Sequence, residues 1–485
     1  MRTRRDFSMN EIVNIRTLKF KEHFKNNFLF ILLILAIICY IITFSYITIL
    51  RHWTYYSAYL DLGWFEQALW STIEGHFLYV SYLDSSHFGT HNSPILFFLI
   101  PIYHILPYSE TLLITQTILL AIAAIPLFYI GKLLLDKWGG LIFSFCYLLY
   151  PGLHGLNLFD FHELAFLPLI LFSTILCLFT KRFNLFVILS LLAMLVKEDV
   201  SILLFTLTFY AIYFKSFEKK HEIRILYGLL IIYIGWLILS LLFIIPYFNV
   251  DGYFHSSRYE LSYGIFCLLF HNFHLKVIYL VLLFLPLIFT PLAAPEFLII
   301  SFPSFVEILL QWPVAYRITT QYSALVIPVI FVSSMIGIKK IQSRLSNIRS
   351  SNKVLYSIIL ISSLLSCLLC TPAPVSPFTL YYKFSPNNCN YVIDDHVQNI
   401  DQAIKMIPPD SSVSTQNNLA GHLSQRMDIF IKYRENSQYI FLDNKTKNME
   451  WLNSPMGELP LEKYELIFHV DEIQLYKLKE KSTNN

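Results

Sequence analysis

The sequence predicts an α-helical polytopic membrane protein, with about eleven transmembrane helices and a small C-terminal α/β domain on the outer face. Three observations carry this reading. Hydrophobic residues make up 55% of the 485 and charged ones only 14%, and the mean hydropathy of +0.54 lies outside the usual soluble range. Apolar runs of near-spanning length recur from residue 28 onwards, and they stop at about residue 372.

The N-terminal residues 1–27 are basic and precede an apolar run from about 28 to 50. That run exceeds the roughly 7 to 15 residues of a signal-peptide core, so it is read as an uncleaved first helix. Further runs lie near 109–132, 139–155, 163–180, 183–197, 199–215, 225–247, 275–291, 293–311, 321–338 and 354–371. The stretch 93–107 is short and holds Pro94, Pro101 and Pro107, so it is expected to lie at the membrane surface rather than cross. With it left out, the basic N-terminus, Lys132 with Lys137, Lys181 with Arg182, residues 215–224 and residues 339–353 all fall on the cytoplasmic side, as the positive-inside rule requires. The C-terminal region is then extracytoplasmic, and the chain divides into residues 1–27, a membrane domain over 28–371 with its first outer loop at 51–108, and an outer domain over 372–485.

A net charge of +3, scattered in short clusters, excludes nucleic acid as a partner and leaves the lipid bilayer as the first one. Cys39, Cys146, Cys177, Cys367 and Cys370 sit inside apolar runs and read as small buried side chains rather than a disulfide framework. In the tail, residues near 412 and at 439–443, 464–470 and 473–478 read as strands and 394–409 as a helix. No glycine-rich phosphate loop is present, so nucleotide binding has no support.

This topology gathers ionisable residues on the outer side. Asp61 and Glu66 lie in DLGWFEQALW, where a helix over 62–73 would place Leu62, Phe65, Leu69 and Ile73 as a membrane-facing stripe with Asp61 as N-cap. Five residues apart, the two acids point roughly 140° from each other. His87 and His91, in a Gly-containing loop, are candidates for ligand or substrate contact, or for interfacial hydrogen bonds. FDFHE crowds Asp160, His162 and Glu163 between two apolar runs. The trio suits a hard divalent cation such as magnesium or manganese, or a proton relay, while a solvated helix end is the plainer alternative. Lys197, Glu198 and Asp199 have almost no loop to hydrate them, which marks them as functional candidates unless they only neutralise one another. Arg258 and Arg317 are the outer arginines suited to an anionic substrate.

DLGWFEQALW, HFGTHNSPILFFLIPIY, PGLHGLNLFDFHELAFLPL, LLAMLVKEDVSILLF and QYSALVIPVIF, in that order, resemble a family of predicted multi-span membrane proteins of unknown function. That family is similar to the GT-C glycosyltransferases. The resemblance spans roughly residues 28–480. It implies a GT-C-like fold, with Asp61 and Glu66 in a catalytic first outer loop and Asp160 with Glu163 as a second acidic motif. It also implies a polyprenyl-phosphate-linked sugar donor and a glycan, lipid or protein acceptor. Gln321 stands where the pattern leads one to expect a histidine. A transporter or flippase for a lipid-linked or anionic solute, and a non-catalytic cell-surface scaffold, are the alternative readings.

Overall fold

Helix length is set by where proline, glycine and charged residues interrupt the apolar runs. The computed structural model describes residues 9–249, 268, 270–311, 313–344, 351–374, 391–445 and 459–479. Among these, Asn27–Trp53, Ser109–Leu134, Lys220–Phe248 and Asn352–Cys370 are long and apolar enough to cross a membrane. Asn27–Trp53 is the apolar part of helix α1 (Met9–Trp53). The connection that follows supplies α2 (Trp64–Ile73), the short hairpin of β1 (Tyr79–Val80) and β2 (Ser85–Ser86), and α3 (Ile100–Ile105). Ser109–Leu134 comprises α4 (Ser109–Ile122) and α5 (Ala124–Leu134). A fifth span forms if α6 (Lys137–Leu148) and α7 (Pro151–Leu158) are counted as one element bent by 44°. Pro151 stands at the break, where it lacks the N–H needed to continue α6.

These four or five helices are fewer than the eleven the apolar runs suggest, and the reason is length. The runs at 163–180, 183–197 and 199–215 become α8 (Leu167–Phe179), α9 (Phe183–Met194) and α10 (Val200–Tyr213), of 13, 12 and 14 residues. At 1.5 Å per residue each rises about 20 Å, short of the roughly 30 Å of a bilayer core. The expected helix over 293–311 is divided into Pro295–Leu298, a turn at Ile299–Ser301, and Phe302–Leu310. As the prolines require, 93–107 forms only the short elements Pro94–Phe98 and α3.

Close helix contact is made where side chains are absent. α5 and α6 pack together, and a Cβ on Gly140 would stand 2.5 Å from the Phe128 carbonyl oxygen, one on Gly131 2.6 Å from Gly140 Cα. Small residues at such a crossing let two backbones meet. Outward, Ile42, Tyr46, Ile188, Ile231, Leu242 and Phe243 are exposed, an apolar surface suited to lipid.

The tail forms a five-stranded sheet in the order β4-β3-β5-β7-β6, with β3 (Val413–Thr415) parallel to β4 (Ile429–Phe430) and β5 (Tyr439–Asp443). β6 (Tyr464–Val470) and β7 (Ile473–Leu478) complete it antiparallel. Helix Asp395–Lys405 is capped by Asp394, whose carboxylate accepts from the Val397 N–H. It lays Val397, Ile400 and Ala403 on a core shared with Val413, Phe441 and Leu475. Tyr55 and Tyr59, from the loop between α1 and α2, enter that same core. The tail is therefore built onto the loop rather than suspended from it.

Gly140→Ala is expected to lower the unfolding midpoint of the purified protein by the equivalent of about 1–3 kcal/mol. Gly228→Ala, where an added Cβ meets nothing within 4 Å, should leave it unchanged or raise it. Thermal unfolding in detergent measures both, and equal shifts would refute the α5–α6 contact.

Candidate functional site

The stretch DLGWFEQALW does not start a helix at Asp61. Tyr59–Gly63 forms a π-helical turn, and α2 follows from Trp64 without a side-chain cap. Asp61 therefore sits inside a turn of a rare type that recurs at functional sites, not at an N-cap. The turn is held from two directions. The Ala58 N–H donates to Asp160 Oδ2 at 3.0 Å, and the Leu60 N–H donates to Asn417 Oδ1 at 3.0 Å. Leu62, Phe65 and Leu69 are buried against Leu96, Leu99, Tyr103 and Phe161. The expected membrane-facing stripe is instead a protein core, because the 94–105 segment and α4 cover it.

Asp61 remains a quarter exposed, and its Oδ1 lies 3.2 Å from His162 Nε2. The other ring nitrogen, Nδ1, is 3.5 Å from Glu163 Oε2. Burial works against a charged imidazole here, yet its hydrogen bond to Asp61 and the adjacent negative charge of Glu163 outweigh it and raise the His162 pKa to about 9. The imidazolium is thus gripped by carboxylates on both nitrogens.

Asp160 turns the other way. It adopts a left-handed backbone with φ 82°, and its Oδ1 pairs with Arg51 at the end of α1 while Oδ2 takes the Ala58 N–H. Burial brings its carboxyl up to about 6 against the pull of Arg51. Asp160, His162 and Glu163 consequently do not converge as ligands, and among the described residues no group of His, Cys, Asp or Glu is arranged to hold a metal ion. The trio does not fit magnesium or manganese, since Asp160 serves Arg51 and both His162 nitrogens face carboxylates.

The third loop joins the same array. Glu198 accepts from His91 Nδ1 at 2.8 Å and from the Asn92 N–H at 3.0 Å. Lys197 Nζ donates to Asp199 Oδ2 at 2.6 Å and stands 6.0 Å from the Tyr322 ring. Glu307 of helix Phe302–Leu310 lies within electrostatic reach of Asp199 and Lys197. Glu163 lies in the field of His91 and Lys197. Asp61, His91, His162, Glu163, Lys197, Glu198 and Asp199, read separately along the sequence, therefore form one buried ionisable network open to solvent at Asp61. His87 is beside it as a neutral ring: burial lowers its pKa to about 4, and its Nδ1 accepts from the Trp64 indole at 2.8 Å. The remaining nitrogen, Nε2, is buried and carries the proton without a partner.

Glu66 belongs elsewhere. Its Oε1 accepts from Tyr103 at 3.0 Å and Gln425 at 3.0 Å, and its Oε2 from Ser109 and Ser424, each at 2.5 Å. Burial pushes this carboxyl above the usual range although the four donors oppose it. Glu66 thus fastens the tail to the first loop, beside a cavity of about 340 Å³ also lined by His52, Tyr108 and His422. Arg317 is exposed in the loop before the turn Gln321–Leu325, and Gln321 is buried with its amide oxygen unpartnered. Arg258 lies outside the described residues. Arg51 and Glu307 are participants that reading the loops alone passes over. Glu307 carries the same signal as Lys197, a charge inside an apolar run, and Arg51 closes the first one.

Apolar helices of spanning length, with three ionisable loops gathered at one end of the bundle, define a multi-helix membrane protein. The chain belongs to the family described as Predicted membrane protein (DUF2079), which matches residues 51–465. No curated protein matches it.

Because the His162 pKa is raised above its ordinary 6.5 to about 9, the stabilisation from its carboxylate partners is complete below about pH 6.5 and is lost as pH rises through about 9. The wild type should lose up to about 3 kcal/mol across that window. His162→Gln should lack this step, as read from unfolding midpoints against pH; an identical profile would contradict the double pairing.

Proposed function

We propose that this protein is a membrane glycosyltransferase that moves a sugar from a polyprenyl-phosphate donor to an acceptor hydroxyl at the outer membrane face. The observation that carries the reading is the contact of Asp61 with His162 across two loops, leaving one carboxylate exposed at the mouth of an otherwise buried charged network. The likeness to GT-C enzymes of the family that its loop motifs resemble supports it. In this reading about eleven segments cross the bilayer, short ones included, with the N-terminus inside and the domain over 372–485 outside.

A sugar on a polyprenyl phosphate has a head too polar for hydrocarbon and a tail too apolar to leave it, so its reaction centre belongs at the interface. The acceptor oxygen attacks the anomeric carbon while the bond from that carbon to phosphate oxygen breaks. The leaving group departs as polyprenyl phosphate, and one displacement inverts the centre. Asp61, oriented by the His162 imidazolium, takes the acceptor proton. Arg317, and Arg258 by its sequence alone, are the cations proposed to neutralise the departing phosphate, since guanidinium groups match its oxygens. The His87 Nε2–H and the Gln321 amide oxygen are a donor and an acceptor for sugar hydroxyls.

A transporter for an anionic or lipid-linked solute is the second reading, favoured by the burial of Lys197 and Asp199 beside Glu307 between short apolar helices. The two separate in liposomes holding the purified protein and polyprenyl-phosphate-linked labelled sugars. Transfer of label to an acceptor, reduced roughly 100-fold or more in Asp61→Asn, is the outcome expected of the enzyme. Label that crosses the bilayer unchanged, or transfer indifferent to Asp61, would overturn it.

A further inference from the structure

The ends of α8, α9 and α10 away from the ionisable network carry a different chemistry. α8 runs from the Glu163 side to the turn Thr180–Arg182, and α9 returns from there toward Lys197. α10 leaves from Asp199 and ends at Tyr213, and the connection to α11 (Lys220–Leu239) lies beside the 180–182 turn. Between these two connections is a cavity of about 400 Å³ whose lining includes Lys181, Arg182, Lys219 and Glu222.

The balance of charge there is positive. Lys181, Arg182 and Lys219 line it together with Glu222, and Lys215, Glu218, Lys220 and Arg224 are close by in the chain. The carboxylates are largely committed. Glu222 accepts the Lys219 N–H at 3.3 Å as part of the helix cap and pairs with its ammonium at 3.4 Å. Glu218 meets Lys181 at 3.7 Å with both side chains mostly exposed, a pairing of little strength. Arg182 makes no ion pair among the described residues. Phe183 and Phe217, with ring centroids 5.1 Å apart, form an apolar wall beneath it.

The flanks supply the second half of the inference. Leu185 and Ile188 on α9, Tyr213 and Phe214 at the end of α10, and Ile225 and Tyr227 on α11 are all exposed. Cations around a cavity, with an apolar surface descending from its rim, match a phosphodiester headgroup with its acyl chains. We propose that the 180–182 and 214–220 connections bind the headgroup of an anionic phospholipid, in the leaflet opposite the Asp61 network.

The test is thermal unfolding of the purified full-length protein titrated with dioleoyl-phosphatidylglycerol, dioleoyl-phosphatidylcholine or inorganic phosphate. Phosphatidylglycerol alone should raise the midpoint. Arg182→Gln with Lys219→Gln should weaken that response roughly 30-fold, at about fivefold per cation, while Arg182→Lys with Lys219→Arg should preserve it. Lys137→Gln with Lys339→Gln, the same charge change at the start of α6 and within helix Ile327–Arg344, should shift it little. Equal stabilisation by phosphatidylcholine or by phosphate, or equal loss in the two neutralised variants, would overturn the proposal. A variant that unfolds early without lipid is replaced in the comparison by the single Arg182→Gln, for which a fivefold loss is expected and no loss is fatal.

Discussion

The bond between Asp160 and Arg51 organises the end of the bundle that carries the ionisable network. A lone carboxylate at 2% exposure would be untenable, and the guanidinium that answers it comes from the last turn of α1, more than a hundred residues earlier in the chain. Its second oxygen takes the Ala58 N–H, which draws the start of the π-turn onto α7's end. Removing either partner would leave a buried charge unanswered, so the first helix, the first loop and the second loop have to settle together. Because Asp160 faces α1, the next residues in the chain are turned toward Asp61, and His162 meets it there.

The tail completes this arrangement rather than decorating it. Asn417 fills the Leu60 N–H, Ser424 and Gln425 fill Glu66, and the Arg426 carbonyl accepts from Gln67. Gly63 and Gly421 meet so closely that a Cβ on Gly63 would stand 3.1 Å from Gly421 Cα. A turn strained toward π geometry needs outside contacts to define it, and these contacts come from residues some 350 positions away. The catalytic candidate and the tail are therefore one unit in mechanical terms.

What could be read in advance follows from the range of the interactions involved. Strands at 439–443, 464–470 and 473–478 were legible because alternation and turn residues are local. β4 was not, since Ile429–Phe430 is two residues long and exists only by pairing with β3. The loops bearing Asp61, His162 and Lys197 stood out as candidates because charge among apolar residues is conspicuous in any sequence. Their partners were not. Nothing local says that Asp160 turns to Arg51 while its neighbour His162 turns to Asp61, or that Glu66 answers Ser109 and Ser424 rather than a substrate. The stripe Leu62, Phe65, Leu69 has the same look whether it faces lipid or Leu96 and Tyr103.

The short helices and the buried charges meet at one place. Helices of 12 to 14 residues rise only about 20 Å. At one end of α8, α9 and α10 the side chains of Glu163, Lys197, Glu198 and Asp199 are buried within the protein. Burial makes an unpaired charge expensive, so each of these groups finds a hydrogen-bonded or charged neighbour: His162 for Glu163, His91 for Glu198, Asp199 for Lys197. Burying the polar network among the helix ends, with Asp61 as its most exposed member, keeps water from competing for those bonds. The extent of that burial thus decides how strongly its members hold one another.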